Sequence, residues 1–251
     1  MSESGRAVLG VVPVGHDDRL APAGCAALRP LRDVPLVRRA VGALVRSGVV
    51  DAVLVVTPPA LVEPVGGLVA PLAGEVPVDV MAAQENGPGL RLRAALRARR
   101  PDAGATVVVH DPLFPLAPAA LVRAVVAALA GAGPQVAAVV PVRPVTDTLK
   151  RVDEDDVVTA TVDREGFRMV YSPQAFRAGP LVAALDVAPD ADLRDPGADV
   201  VPRLVQAAGG RLSSVLAPGE VFRLGTADDL VLAEAMLHVG ADVDDERPAA
   251  R

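Results

Sequence analysis

The sequence predicts an α/β protein built on an open, mostly parallel sheet. Strand-like and helix-like segments alternate about five times before residue 140, and each parallel crossover needs a helix or a similar excursion. The strand segments, such as residues 8–12 and 106–110, are apolar runs without polar alternation. Such runs are typical of strands that are buried on both faces of a parallel sheet.

Composition supports one large domain, which we place at residues 1–240. The chain has 251 residues, of which 51% are hydrophobic and only 2% aromatic, so Val, Leu and Ala must build the core. A net charge of −6 argues against a general nucleic-acid binder. No apolar run is long enough to cross a membrane, and no signal peptide is recognisable. With a single cysteine, Cys25, a cytoplasmic protein without an internal disulfide is expected.

The first strand leads into a loop with some features of a phosphate-binding cradle. Gly15 would let backbone N–H groups approach phosphate oxygens, and Arg19 would supply a cation. Asp17 and Asp18 would repel a triphosphate unless a metal ion lay between them. From this local sequence alone, an ordinary turn between a strand and a helix is the alternative interpretation.

The next elements follow from hydrophobic spacing. Apolar residues at helical intervals predict a helix over residues 35–47, and two prolines and two glycines predict a broken helix over residues 60–73. The remaining elements of the first half are strands at 52–57, 76–81 and 106–110 and helices at 90–99 and 117–130.

The second half begins with a change in pattern. Residues 142–172 are rich in Thr and Val, contain no helical pattern, and predict a β-arm that projects from the sheet. Helices and loops follow at 180–208, with a strand at 212–216. Thr226 and Asp229 resemble a capping box for a final helix through residue 238. The acidic residues 241–251 are expected to form a disordered tail.

Several motifs occur in an order that resembles the 2-C-methyl-D-erythritol 4-phosphate cytidylyltransferase family. They are VVPVG, VVVHD, PVRPVTDTLK, TVDREGF, SPQAF and FRLGTADDLVLAEAML. The resemblance implies a Rossmann-like nucleotidyltransferase domain of the glycosyltransferase-A-like type. It also implies a homodimer that exchanges its β-arms, and Mg²⁺-dependent attack of a polyol phosphate on the α-phosphate of CTP.

The half of the family's site that binds the polyol phosphate is well matched. Asp147, Thr148 and Lys150 match the family's D-T-x-K motif and would bind substrate. Arg164 matches the arginine of the arm, and Arg223 stands where the family has a lysine before the final helix. The resemblance implies catalytic roles for both of them and for Arg19. A hydroxyl group and cations suit a phosphomonoester. Without the resemblance, Arg164 and Thr148 would be interpreted as solvated residues of a charged turn.

The half that binds the nucleotide is poorly matched. Gly15, Arg19 and Asp111 remain, and Asp111 would be the metal-binding carboxylate, although a carboxylate that caps the strand end is the alternative. Ala26 replaces the family's lysine, and Phe114 replaces its arginine. Nucleotidyl transfer depends mainly on positioning and charge neutralisation, so these losses predict weak or lost catalysis unless Arg29, Arg32 or Arg91 compensate.

Two functions therefore remain open at this stage. The first is a cytidylyltransferase, or a relative with changed substrates. The second is a non-catalytic homologue that binds a phosphorylated ligand or a partner. His110, which precedes Asp111, is predicted to make a structural hydrogen bond.

Overall fold

An eight-stranded sheet forms the centre of the protein, and helices cover both of its faces. The computed structural model describes residues 6–15, 25–74 and 76–245. The first half contains β1 (Val8–Pro13), β2 (Pro30–Leu31), β3 (Val34–Pro35), α1 (Leu36–Arg46), β4 (Ala52–Thr57), α2 (Val62–Val69), β5 (Val78–Ala82), α3 (Pro88–Arg99), β6 (Thr106–Val109), α4 (Ala119–Gly131) and β7 (Val136–Pro144). The second half contains β8 (Leu149–Val152), β9 (Val158–Val162), β10 (Arg168–Val170), β11 (Gln174–Arg177), α5 (Ala178–Val187), α6 (Asp190–Arg194), α7 (Val200–Ala207), β12 (Arg211–Leu216) and α8 (Ala227–Asp245).

The strand order of the main sheet is β10-β7-β11-β6-β1-β4-β5, with β12 paired to β7. Strands β6, β1, β4 and β5 run parallel to one another, as do β7 and β12. Strand β11 is antiparallel to both β6 and β7. The predicted fold class, a mostly parallel α/β sheet flanked by helices, is confirmed.

Alternate residues of the buried strands supply two separate cores. Val11 packs in the layer beneath α3, α5 and α7, whereas Val12 packs in the layer beneath α1, α2 and α4. Both side chains are fully buried. Because successive side chains of a strand point to opposite faces, continuous valine runs are needed to fill both layers.

The predicted β-arm has two parts. Strands β8 and β9 form a hairpin that is separate from the main sheet, with Leu149 opposite Val162 and Val152 opposite Val158. Strand β10 then returns to the sheet and pairs with the end of β7. The chain continues into β11, a central strand that the sequence analysis did not predict.

The final helix is longer than predicted. Its capping box is confirmed, because the backbone N–H of Asp229 donates to Oγ1 of Thr226 at 3.3 Å and that of Thr226 donates to the Asp229 carboxylate at 2.8 Å. The helix runs to Asp245 rather than ending at residue 238. Residues 241–245 of the predicted tail are therefore helical, and residues 246–251 lie outside the described part of the chain.

The region predicted as a broken helix is an α-helix with a 3₁₀ turn at each end, Pro59–Leu61 before α2 and Ala70–Leu72 after it.

In the part of the chain that the structure describes, no helix has the length and apolar character required to span a membrane.

Candidate active site at the carboxyl ends of the strands

A cleft opens where β1 and β6 end, the edge at which open α/β sheets bind their ligands. Its empty volume is about 820 Å³, and part of that volume is open to solvent. Most of its walls come from chain segments that are far apart in the sequence. They are Pro13 and Gly15 after β1, Ala26 and Ala27, the start of α3, Asp111 to Leu113 after β6, Ser172 and Gln174, the connection between α6 and α7, and Arg223.

Several contacts hold Asp111 in this cleft, and three of them are described here. Its Oδ1 accepts a hydrogen bond from the backbone N–H of Leu113 at 2.9 Å. Its own backbone N–H donates to Oγ of Ser172, also at 2.9 Å. Nε of Arg223 lies 3.3 Å from its Oδ2. The predicted metal-binding carboxylate and the predicted catalytic cation are thus brought together, although they are far apart in the sequence.

His110 supports Asp111 from inside the protein. The ring is completely buried, and its Nδ1 lies 3.0 Å from Oγ of Ser172. Burial lowers the pKa of His110 from its ordinary value of 6.5 to about 3. The ring is therefore neutral at neutral pH. Since Oγ of Ser172 accepts the N–H of Asp111, its own hydrogen is available to Nδ1, and the predicted structural hydrogen bond is confirmed.

Gly15 and Cys25 lie next to each other at the end of β1. The Cys25 thiol donates to the carbonyl oxygen of Gly15 at 3.3 Å, and burial raises the pKa of this thiol. Gly15 lines the cleft, and its role in binding a ligand stays a prediction. Residues 16–24 lie outside the described residues, so the predicted role of Arg19 stays a prediction.

Both positions at which the sequence analysis noted a lost cation are buried and uncharged. Ala26 and Phe114 are each 1% exposed. The ring of Phe114 packs edge-on against Tyr171, with ring centroids 6.1 Å apart and an interplanar angle of 72°. The side chain of Phe114 is thus part of the core beside the cleft and cannot neutralise phosphate charge.

The predicted substrate-binding residues of the arm do not line this cleft within a single chain. Asp147 and Thr148 are exposed between β7 and β8. The Lys150 ammonium donates to Oγ1 of Thr161 at 2.7 Å, and the Arg164 guanidinium donates to the carbonyl oxygen of Thr146. These three positions and Arg164, which is predicted to be catalytic, lie on the exposed arm, and the exchange of arms in a homodimer stays a prediction.

Sequence reasoning missed three polar residues of the cleft. Ser172 supports Asp111, and Gln174 donates to the carbonyl oxygens of Tyr171 and Ala198 at 3.0 and 2.7 Å. Asp195 also lines the cleft, and its Oδ1 accepts the N–H of Gly197 at 2.8 Å. The SPQAF motif contains two of the three residues and was the available signal.

Arg91 is a further residue whose position the sequence did not reveal. It is one of several arginines on α3, but it is only 2% exposed. An ideal Cβ atom on Gly15 would lie 3.8 Å from its Nη1. The guanidinium therefore lies directly behind a backbone segment that lines the cleft.

Among the described residues, Asp111 and Asp195 are the carboxylates that line the cleft. The described residues contain no cluster of three or more His, Cys, Asp or Glu side chains that could hold a metal. Mg²⁺ in nucleotide sites is usually bound by one or two carboxylates together with substrate phosphates and water. The residues present fit a Mg²⁺ ion that is bound jointly with a nucleotide.

Comparisons with known proteins agree with this arrangement. A family model described as 2-C-methyl-D-erythritol 4-phosphate cytidylyltransferase matches residues 8–239. A protein of that name from Frankia casuarinae is 39% identical over 243 residues, which are 96% of this chain and 85% of the relative. One from Saccharopolyspora erythraea is 37% identical, with 92% of this chain and 99% of the relative covered. The crystal structure of the protein of that name from Thermus thermophilus has a TM-score of 0.70 at 28% identity, covering 93% of this chain and 98% of that one.

The fold, with its cleft at the carboxyl ends of β1 and β6, defines an α/β protein of the Rossmann-like nucleotidyltransferase class. Within that class, the chain belongs to the 2-C-methyl-D-erythritol 4-phosphate cytidylyltransferase family.

Proposed function

We propose that this protein is a weak cytidylyltransferase that acts on CTP and a polyol phosphate such as 2-C-methyl-D-erythritol 4-phosphate. A phosphate oxygen of the acceptor attacks the α-phosphorus of CTP, forming the new P–O bond of a CDP-polyol and releasing diphosphate. The contact between Asp111 and Arg223 in the cleft is the observation that carries this proposal. A carboxylate that can share a metal ion with phosphates, beside a cation for developing negative charge, is what nucleotidyl transfer requires.

The roles of the two residues follow from their chemistry. Asp111 would bind Mg²⁺ jointly with the nucleotide phosphates, and the metal would neutralise their charge. Arg223 is permanently charged, and its guanidinium can bind an acceptor or transferring phosphate at more than one oxygen. Two of its present contacts, 3.3 Å to Asp111 and 3.5 Å to the carbonyl oxygen of Pro196, are long enough to be exchanged for a ligand.

The acceptor would complete its site across a homodimer. Thr148, Lys150 and Arg164 are exposed on the arm, where they offer a hydroxyl group and two cations to a phosphomonoester. The apolar pair Val152 and Val158 on the hairpin is 49% and 58% exposed. A second copy of the chain would cover this pair and bring the polar residues to the partner's cleft.

Weak rather than full activity is expected because the nucleotide side has lost two cations. Removing one group that stabilises a transition-state charge typically costs about 10²- to 10³-fold in rate. Ala26 and Phe114 occupy the two positions as buried apolar residues. We therefore expect CTP with Mg²⁺ to bind with a dissociation constant of about 1 mM or higher.

The test is CDP-polyol formation by the purified protein, measured by mass spectrometry with CTP, Mg²⁺ and 2-C-methyl-D-erythritol 4-phosphate. Asp111→Asn should lower the rate about 100-fold or more, since it removes the metal-binding charge while keeping the shape. Asp186→Asn, at an exposed ion pair with Arg97 outside the cleft, is the matched control and should leave the rate unchanged. Product formation that does not respond to Asp111→Asn would contradict the proposal.

A non-catalytic homologue that binds a phosphorylated ligand is the second candidate, and the burial of Phe114 favours it. A side chain that is 1% exposed and packed on Tyr171 leaves no room for the lost arginine without repacking of the core. Stabilisation of the protein by the polyol phosphate, in the absence of any product even at high enzyme concentration, would establish this candidate over the enzyme.

A further inference from the structure

The side-chain amide of Gln174 is bonded to the described protein through its nitrogen alone. The residue begins β11, opposite Val109 at the end of β6, and it lines the cleft although it is only 5% exposed. Its Nε2 donates to the carbonyl oxygen of Tyr171 at 3.0 Å and to that of Ala198 at 2.7 Å. Both amide hydrogens are therefore used within the protein.

These two hydrogen bonds determine which way the amide points. If the amide were turned round, Oε1 would face two carbonyl oxygens and the nitrogen would lose both acceptors. In the observed orientation, Oε1 accepts no hydrogen bond from another described residue, yet it is not among the described polar atoms that are both fully buried and without a partner. Since the side chain is otherwise enclosed and lines the cleft, this oxygen is open to the cleft.

An amide oxygen that is open to the cleft selects for hydrogen-bond donors. Oε1 can only accept, so a hydroxyl group satisfies it, whereas a phosphate oxygen or a methyl group does not. Two carboxylates, Asp111 and Asp195, also line the cleft, but negative groups repel a phosphomonoester. The neutral amide of Gln174 can bind a hydroxyl group of such a ligand without that repulsion.

Gln174 and Arg223 contact the same short connection between α6 and α7. Nη2 of Arg223 lies 3.5 Å from the carbonyl oxygen of Pro196, and Gln174 bonds to the carbonyl oxygen of Ala198, two residues further on. All four residues line the cleft. The amide oxygen therefore lies on the wall of the cleft that also carries the cation assigned to a phosphate.

We propose that Gln174 determines acceptor specificity, with its Oε1 accepting a hydrogen bond from a hydroxyl group of the polyol phosphate. The inference rests on the proposed function for the identity of this ligand, and it applies equally to a non-catalytic homologue that binds the same ligand. The two carbonyl oxygens hold the amide in place before the ligand arrives, which lowers the cost of binding. A ligand without the hydroxyl group would leave the oxygen unpaired, and sites of this kind reject such ligands.

The probes are 2-C-methyl-D-erythritol 4-phosphate and 3-methylbutyl phosphate, which has the same carbon skeleton without hydroxyl groups. Isothermal titration calorimetry measures both dissociation constants in the presence of EDTA, so that a metal ion on the amide oxygen cannot contribute. The unaltered protein should prefer the polyol phosphate. Gln174→Met keeps an unbranched side chain and should reduce that preference about 10-fold, the value of one hydrogen bond whose loss leaves a partner unpaired. It should not weaken the binding of 3-methylbutyl phosphate.

A control variant separates this role from a purely structural one. Gln206→Met makes the same replacement at an exposed position of α7 outside the cleft, and it should keep the full preference. If Gln174 served only to join two carbonyl oxygens, Gln174→Met would weaken the binding of both probes equally. An unchanged preference in Gln174→Met, or equal binding of the two probes by the unaltered protein, would overturn the inference.

A second measurement needs no variant and applies if Gln174→Met does not fold. Each hydroxyl group of the polyol phosphate is replaced in turn by hydrogen or by fluorine, and binding to the unaltered protein is measured. Fluorine cannot donate a hydrogen bond, so at the hydroxyl group that contacts Oε1 the two replacements should weaken binding equally, by about 10-fold. The inference fails if fluorine restores binding at every position where hydrogen weakens it.

The exocyclic amine of cytosine is another donor that an amide oxygen could bind. In that case Gln174→Met would reduce the preference for CMP over UMP and leave the preference for the polyol phosphate intact. This result would overturn the assignment of Gln174 to the acceptor.

Failure of the inference is distinguishable from failure of the proposed function. If Gln174→Met loses the preference for the polyol phosphate while the unaltered protein forms no CDP-polyol, the specificity role stands and the catalytic proposal fails. If CDP-polyol forms and Gln174→Met keeps the preference, the catalytic proposal stands and the specificity role is refuted.

Discussion

His110 shows how a single buried side chain links the site to the stability of the protein. Its ring is neutral in the folded protein, and through Ser172 it orients the backbone of Asp111. The same burial that keeps the ring neutral makes its protonation unfavourable until the protein unfolds. The histidine is therefore a source of acid sensitivity.

We expect the free energy of unfolding to fall as the pH falls from about 6.5 towards 3. In that window the unfolded chain binds a proton at His110 that the folded chain does not, so stability rises with pH. The contribution of this histidine approaches about 1.4 kcal/mol per pH unit. Urea denaturation between pH 4 and 7 measures the slope.

His110→Asn isolates this contribution, because an amide can occupy the position of Nδ1 and cannot be protonated in this range. For the variant, the free energy of unfolding should change less steeply with pH over the same window, by the amount that corresponds to about one bound proton. Identical slopes for the variant and the unaltered protein would mean that His110 is not the responsible group.

Among the elements, α8 depends on a short local signal at its first turn. The carboxylate of Asp229 accepts the N–H groups of Gly225 and Thr226 at 2.8 Å. These hydrogen bonds lower the pKa of Asp229 from its ordinary value of 3.8, and the bond from Gly225 has the largest effect. The stabilisation that the ionised carboxylate provides is therefore present above pH 3.8 and is lost as the pH falls further. Leu230 and Ala233 then bury the helix against the segment that carries Arg223.

Thr226→Ala should lower the free energy of unfolding by about 1 kcal/mol, the usual cost of a lost helix cap. Urea denaturation provides the measurement. Ser213→Ala, at an exposed position of β12, is the control and should change stability by less than about 0.5 kcal/mol. Equal effects of the two substitutions would show that the hydrogen bond to Oγ1 of Thr226 contributes nothing.

The arm is the element that most directly tests the proposed homodimer. Val158→Asp places a charge on the exposed apolar pair of the hairpin, and burying that charge at an interface would be unfavourable. We expect monomers by sedimentation velocity. Val187→Asp is a matched control, since Val187 is 78% exposed on α5. If both variants sediment like the unaltered protein, the hairpin is not the contact.

Elements with a long, regular pattern were predictable from the sequence, and β11 was not. Strands β1, β4 and β6 are valine-rich runs, and α1 has apolar residues at helical spacing. Strand β11 has only four residues, Gln174–Arg177, and directly follows the arm. Its place between β6 and β7 is determined by tertiary pairing, which no local pattern records.

At the scale of the whole molecule, the candidate site depends on parts of the chain that meet only after folding. The family motifs identified Gly15, Asp111 and Arg223, and all three line the cleft. The same motifs could not reveal that Arg91 is buried, because its helix carries several arginines and only the packing of α3 on the sheet and α6 separates them. Nor could the motifs show that Ser172, at the end of the predicted arm, bonds to the backbone of Asp111.

The antiparallel pairing of β6 and β11 has a consequence for the proposed assembly. It places the end of β6, with Asp111, against the base of the arm, where Ser172 bonds to the backbone of Asp111. If the arm is held by a second subunit, association and ligand binding are thermodynamically linked. Specific activity should then fall on dilution, because the subunits separate. Bound substrate should lower the dissociation constant of the dimer, and dimerisation should lower the dissociation constant of the substrate by the same factor. Sedimentation at matched dilutions, with and without substrates, measures both sides of that reciprocity.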